Sequence, residues 1–460
     1  MFTSDQSRRA FLKRSAALGI AGSAAPFVTN LAAIGEAAAA TASDYKALVC
    51  VFLYGGNDYA NTLPPYDQAS YNLYAAARTN LAHARATLAA TVLNPSTALP
   101  GGRQYALAPT MSGLLPIFDA GRLAVVLNVG TLVQPTTKAQ YTANSVRLPP
   151  KLFSHNDQQS YWQASNPEGA TSGWGGRIGD LLQSGNGTST VTCINASGNA
   201  VFLTGRTAIQ YSVGTTGPIA LLNNGSTLFG STAAASTLRT LMTSTNANLL
   251  ANEHATISKR ALDTYAQVNS ALASAPAANF PLFPTGNNLA SQLQIVARLI
   301  SVSQELGAKR QVFFVSQGGF DLHDNLLAQH PGLVSNVANA MRAFYDTTVA
   351  LGVADRVTTF TGSDFGRTLQ SNDDGSDHGW GSMHFVMGGA VNGRRFYGTP
   401  PAIGNNTPDD VGQGRLLPTI SVDQYASTLA SWFGVSAGNM STVLPNIGNY
   451  NPSTWNLGFV

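Results

Sequence analysis

A small set of carboxylates and imidazoles in this chain could hold a metal ion or move protons. Asp364, Asp377, His378 and His384 fall between 361 and 389, in a stretch broken by Gly375, Gly379 and Gly381. Asp58 follows Gly55-Gly56-Asn57, and Asp321 and His323 follow Gly318-Gly319-Phe320. Such groups in Gly-rich loops at strand ends suit one or two divalent ions such as Zn²⁺ or Mn²⁺, and Ca²⁺ is a third option. Paired ions would clamp the attacking and leaving oxygens of a phosphate or sulfate ester. Only 11% of the residues are charged, so their gathering here needs a reason.

The elements that must position these groups are buried strands. Tyr45 to Tyr54 is a continuous apolar run, as expected of a strand covered on both faces. Gln311 to Val315 and Arg356 to Thr361 are runs of the same kind, and they deliver Asp321 and Asp364. Arg122 to Val129 is a fourth, and Phe385 to Met387 a shorter one. Helical patterns at Asn288 to Leu306 and Leu333 to Leu351 alternate with two of these strands. Strand–helix–strand order predicts an α/β fold with a mostly parallel central sheet flanked by helices. Ligands then bind at the carboxyl edge, where Asp58, Asp321 and Asp364 would converge. Asp58 taken alone also fits a helix or turn cap.

Elsewhere the chemistry is thinner. Ser154 precedes a helical run, Asn156 to Gln163, with Asp157 three residues on. That spacing fits a cap, or a nucleophile at a helix N-terminus. His384 precedes an apolar run and reads as satisfying local backbone, and Asp373 and Asp374 read as solvated loop residues. Gln68 to Ala90, Thr237 to Ala273 and Val422 to Phe433 have helical composition. Gly205 to Ser236 is small and polar, part of a loop-rich insertion spanning about 195–285 that could cover a site. No phosphate-binding glycine fingerprint is present.

Composition bounds the function. The net charge of +3 over 460 residues gives no support for nucleic-acid binding. Cys50 and Cys193 have no metal-ribbon or redox spacing, and pairing between them stays open. Ser7 to Lys13 reads Ser-Arg-Arg-Ala-Phe-Leu-Lys, followed by a weakly apolar segment and Ala40-Thr41-Ala42. This is the pattern of a twin-arginine signal over residues 1–42, exporting residues 43–460 through the twin-arginine machinery. The mature chain is then expected in the periplasm or outside the cell, with no transmembrane span.

Several motifs together resemble one family. They are Leu53-Tyr54-Gly55-Gly56-Asn57-Asp58, Ser154-His155 with Tyr161-Trp162, Gly318-Gly319-Phe320-Asp321-Leu322-His323, Ser363-Asp364-Phe365-Gly366-Arg367-Thr368, Asp377-His378-Gly379-Trp380-Gly381 and Gly388-Gly389-Ala390-Val391. The chain resembles the bacterial family called domain of unknown function 1501, itself similar to the alkaline phosphatase and sulfatase superfamily. The resemblance implies an alkaline-phosphatase-like domain with metal ions at the strand ends. It implies that Asp58 is the first-strand ligand and that Ser154 is a nucleophile forming a phospho- or sulfo-enzyme. Asp321 and His323 would bind one ion and Asp364 another. His378 would complete a shell, with Asp377 beside it, and Arg367 would hold a substrate oxyanion. The chain departs from the phosphatase pattern in two places: Asn325 stands four residues after Asp321, and Phe365 directly follows Asp364.

Three functions fit these residues. One is a metal-dependent hydrolase of a phosphate, sulfate or related ester, on a small anionic ester or glycan. Another is a non-catalytic envelope or extracellular binding protein on the same fold. A metal-free Ser–His–Asp esterase is the third, but no Gly-x-Ser-x-Gly elbow is present.

Overall fold

The computed structural model describes residues 45–221 and 227–460. The leader lies outside the described residues. The expected α/β architecture is present. Its strands are β1 (Lys46–Leu53), β2 (Leu123–Gly130), β3 (Cys193–Asn195), β4 (Gln210–Gly214), β5 (Gly217–Pro218) and β6 (Arg310–Gln317). They continue with β7 (Val357–Ser363), β8 (Arg367–Ser371), β9 (Ser376–His378), β10 (Ser382–Gly388), β11 (Arg395–Tyr397) and β12 (Ile420–Ser421). The longer helices are α1 (Gln68–Arg78), α2 (His155–Ala164), α3 (Trp174–Leu182), α4 (Thr232–Thr243), α5 (Leu249–Ala273), α6 (Asn288–Ser301), α7 (Leu326–Ala350) and α8 (Val422–Phe433).

One 10-stranded sheet runs β11-β2-β10-β7-β1-β6-β3-β4-β5, with β12 beside β2. β1 lies between β6 and β7 and is parallel to both. The three loops that carry Asp58, Asp321 and Asp364 therefore leave the same edge of the sheet. β10 is the exception at the centre, antiparallel to both β2 and β7. β8 and β9 form a separate hairpin above that edge.

Side-chain alternation along β1 sorts the core into two layers. Ala47, Val49, Val51 and Leu53 face a cluster that includes α6 and α7. Leu48, Cys50 and Phe52 face the opposite cluster, with Trp162 of α2, Trp174 of α3 and Tyr425 of α8. Both faces are covered, which explains the unbroken apolar runs. Cys50 and Cys193 are free, buried, and separated by β6. Two strand spacings put them about 10 Å apart, beyond the reach of a disulfide.

Some helix boundaries differ from the sequence reading. Gln68 to Ala90 is helical only to Arg78, after which the chain turns through short pieces. The long pattern ending at Ala273 divides into α4 and α5, and Asn248 caps α5 by accepting from the backbone of Leu250 and Ala251. α7 starts at Leu326 and carries Pro331 in its second turn, where the missing N–H gives up the bond to the Leu327 carbonyl. β4 and β5 of the insertion extend the far edge of the sheet. Among the described residues no helix is long and apolar enough to cross a membrane.

Asp423 in the first turn of α8 is buried, held by the Ser165 hydroxyl at 3.2 Å and the Asn446 N–H at 3.2 Å. Burial outweighs these bonds and pushes its carboxyl up to about 6. The fold thus favours the protonated form. This contribution to stability is fully present below about pH 4, the unfolded carboxyl range, and is lost as pH rises to about 6. Asp423→Asn is expected to remove that loss. Its stability relative to wild type, from urea unfolding at several pH values, should rise by up to about 3 kcal/mol between those limits and then level off.

Candidate metal centre

The turn after β1 sets the floor of the site. Gly55 has φ of +112°, and a Cβ there would lie 2.4 Å from the Asp321 nitrogen. Only a glycine lets the β1 and β6 loops touch this closely. The Gly55 N–H donates to Asp364 Oδ2 at 3.1 Å, so one turn contacts both acid-bearing loops.

Asp364 is fully buried at the end of β7. Its Oδ2 also accepts from Gln159 at 2.8 Å and meets His155 Nδ1 at 2.7 Å. His155, Gln159 and Trp162 are spaced i, i+4, i+7 and share one stripe of α2. Trp162 packs into the core beneath, so the helix is anchored and its first residue is aimed at Asp364. With Nδ1 bound to a carboxylate, His155 presents Nε2 toward Asp321 Oδ2, 3.2 Å away. That nitrogen is buried and has no aligned hydrogen-bond partner, and neither has Asp364 Oδ1.

His378 and His323 repeat this arrangement. His378 Nδ1 lies 2.7 Å from the Phe153 carbonyl, which fixes the hydrogen on Nδ1 and leaves Nε2 as a lone pair. His323 Nδ1 lies 3.3 Å from Asp377 Oδ1. The Nε2 atoms of His378 and His323 are 3.1 and 3.0 Å from Asp321 Oδ1 and 2.9 Å from each other. In each of the three rings Nδ1 meets an oxygen and Nε2 points at one carboxylate.

The β8–β9 hairpin holds His323 in place. The Ser376 N–H donates to the Leu322 carbonyl, and the Asn325 N–H donates to Asp374 Oδ2. A Cβ on Gly375 would lie 2.2 Å from the His323 backbone, so the hairpin must present a glycine there. Arg367 at the start of β8 is buried and donates to Asp321 Oδ1 at 2.6 Å, to the Gly55 carbonyl at 3.1 Å and to the Ser376 carbonyl.

The electrostatics follow from this packing. Partial burial disfavours the Asp321 charge, but the hydrogen bond and charge of Arg367 prevail, with His155 and His323 adding. Its carboxyl is held down to about 2. The hydrogen bond to Asp364 raises His155, and burial lowers His378. Exposure grades outward: the Asp364 side chain is 0% exposed, His378 23%, and Asp321 44%, so the cluster opens to solvent on the Asp321 side.

His155, Asp321 and His378 offer ligand atoms that all lie within 4.8 Å of one another. A donor set of two imidazoles and a carboxylate, with oriented rings and an orphaned buried nitrogen, fits a divalent transition metal. It fits Ca²⁺ poorly, because that ion takes oxygen ligands.

The expected residues divide. Asp321, His323, Asp364, Asp377 and His378 come together. Asp364 and Asp377 meet imidazole Nδ1 atoms, and the compact donor set excludes them. Asp58, expected as the first-strand ligand, is instead gripped by buried Arg78 of α1 at 2.5 and 2.6 Å and caps Tyr59–Thr62. Ser154, expected as the nucleophile, donates its hydroxyl to Asp157 Oδ2 at 3.0 Å. Arg367, expected to hold a substrate, spends its donors inside the chain. His155 belongs to the compact donor set and was not among the expected site residues. The helical stripe it shares with Gln159 and Trp162 does not by itself set it apart from Ser154.

The fold and cluster define an α/β protein with a histidine–carboxylate centre at the carboxyl edge of a mostly parallel sheet. Residues 45–441 match the model of the family described as "Protein of unknown function (DUF1501)", and the chain belongs to that family. No curated protein matches the chain. Among solved structures it is similar to Ps i-CgsB in complex with k-i-k-neocarrahexaose, at 10% identity and a TM-score of 0.34, covering 89% of this chain and 78% of that one. It is also similar to the lipoteichoic acid synthase LtaP from Listeria monocytogenes, at 9% identity and a TM-score of 0.32, covering 94% and 82%. Likenesses of this size carry no argument about chemistry.

Asp58 and Asp321 should respond differently to truncation. Asp58→Ala strands the Arg78 charge in the core and is expected to cost about 3–5 kcal/mol in urea unfolding. Asp321→Ala, at a half-exposed position, should give a far smaller change in unfolding midpoint.

Proposed function

We propose that the mature chain is an exported, metal-dependent hydrolase of a phosphate, sulfate or related ester, with a small anionic ester or glycan as substrate. One observation carries this reading: three imidazoles, each tied at Nδ1 to an oxygen, turn Nε2 toward a single low-pKa carboxylate. Nε2 lone pairs aimed at a carboxylate from about 3 Å repel it, and a cation held between them would relieve that repulsion.

In this reading His155, Asp321 and His378 hold the ion, with His323 next to them at the open side. Imidazole donors favour Zn²⁺ or Mn²⁺ over Ca²⁺. A divalent ion there would polarise an ester oxygen and lower the pKa of a bound water. The chain's own residues prepare the place. Arg367 keeps Asp321 ionised. Asp364 and the Phe153 carbonyl select the ring tautomers, and Asp377 orients His323. Buried Asp364 and its donors keep His155 from rotating. Ser154 is committed to Asp157, so this reading assigns it no bond to substrate. Export through the twin-arginine machinery, to the periplasm or beyond, rests on the leader sequence.

A second reading has a specific observation behind it. Ser154 and Arg367, the groups that would attack and hold an ester, are both engaged within the chain. That favours a non-catalytic envelope or extracellular binding protein on the same fold.

Elemental analysis and turnover separate the two. Protein purified after native export without chelators is expected to carry about one equivalent of zinc or manganese, as a single compact donor set allows. Asp321→Ala and His155→Ala should lose it, and both should lower hydrolysis of an aryl phosphate or aryl sulfate by at least about 100-fold. Bound metal without turnover across both esters supports the binding-protein reading. Absence of metal from the wild-type protein ends the hydrolase proposal.

A further inference from the structure

Within five residues of α2, two non-glycine residues lie in the left-handed region, Lys151 with φ of +46° and Phe153 with φ of +71°. An aromatic residue there is uncommon, and such conformations persist only where the surroundings enforce them. At Phe153 the enforcing contacts are visible. Its carbonyl meets His378 Nδ1 at 2.7 Å. Its ring lies under the Arg415 guanidinium, 5.1 Å from Cζ. Arg415 in turn donates from Nε to the His378 carbonyl at 2.7 Å. Two residues far apart in sequence thus grip one histidine, one at its ring and one at its backbone, and they touch each other.

Arg415 is itself held by a built loop. Buried Asp410 accepts from the N–H groups of Gly412 and Gly414 at 2.7 and 2.8 Å. The Gly414 carbonyl accepts from Leu369 of β8, the strand paired with the one that carries His378. Nothing in local sequence requires an arginine after this turn, and its contacts are on His378, Phe153 and the Gly412 carbonyl.

We infer that Phe153 and Arg415 are positioning residues: together they set the tautomer and the placement of His378, so that its Nε2 is presented to the ion. The inference rests on the metal reading above and adds to it Arg415 and the Phe153 ring, neither of which binds metal itself. The left-handed turn at Phe153 is what brings its carbonyl to Nδ1, and the cation–π contact keeps it there.

The test measures Co²⁺ binding by chelator competition and by the visible absorption of the bound ion. Each protein is assayed well below its own melting temperature, so that all are folded. Phe153→Gly and Arg415→Gln are expected to weaken Co²⁺ binding by about 10–100-fold and to shift the absorption bands, the usual scale for losing an outer partner of a metal ligand. Phe153→Tyr keeps ring and backbone and should bind as wild type does. Lys151→Gly, which relaxes the other left-handed residue but leaves the clamp intact, should also match wild type. Equal affinity and unchanged spectra across all four variants overturn the inference while leaving the metal site standing. A wild-type protein that binds no Co²⁺ overturns both.

Discussion

The hydrogen bond between Asp364 and His155 joins the parts of this molecule that matter most to its site. A carboxylate taken out of water is costly unless donors surround it. Asp364 is fully buried, and Oδ2 collects the Gly55 N–H, the Gln159 amide and the His155 ring. The same oxygen therefore ties the turn after β1, the end of β7 and the first turns of α2 together. Its partner Oδ1 has none of these contacts. The position of α2 follows from this bond above and Trp162 below. Everything that faces Asp321 from that side depends on it.

The two Gly-Gly acid turns have different fates, and the cause is an arginine each time. After β1, Arg78 reaches Asp58 from α1 and seals it in the core. After β6, Arg367 reaches Asp321 from the hairpin, but from behind, leaving the carboxylate open to three imidazoles. Both arginines also contact the hairpin: Arg78 donates to the Thr368 carbonyl, and Arg367 donates to Ser376. β8 and β9 are thus the common backing of a structural acid and of a site acid. Either pair could have filled either role by sequence alone.

Most of the framework was legible in the chain. Buried strands show as unbroken apolar runs because both faces of β1, β6 and β7 are covered. Their shared direction follows from the helices between them, and it forces Asp58, Asp321 and Asp364 to one edge. His323 and His378 could be picked out as site residues because glycine-rich loops follow those strands. His155 could not be separated from Ser154, since both begin the same helix and only the rotation of α2 decides which side chain faces Asp364. The β4–β5 insertion read as loop because its strands are short and polar, stabilised by pairing at the sheet edge.

The sequence by itself determined the α/β order, the edge that carries the chemistry, and the residue types available there. Those properties are local: strand burial, turn glycines and the acids that follow them. The tertiary structure alone decided which acid faces the three imidazoles, which is a core ion pair, and which only orients a ring. That choice depends on where Arg78, Arg367 and the Phe153 carbonyl arrive, and none of these is near its partner in the chain. A carboxylate's role is set by the charge and hydrogen bonds that reach it in space, and spacing along the chain does not encode them.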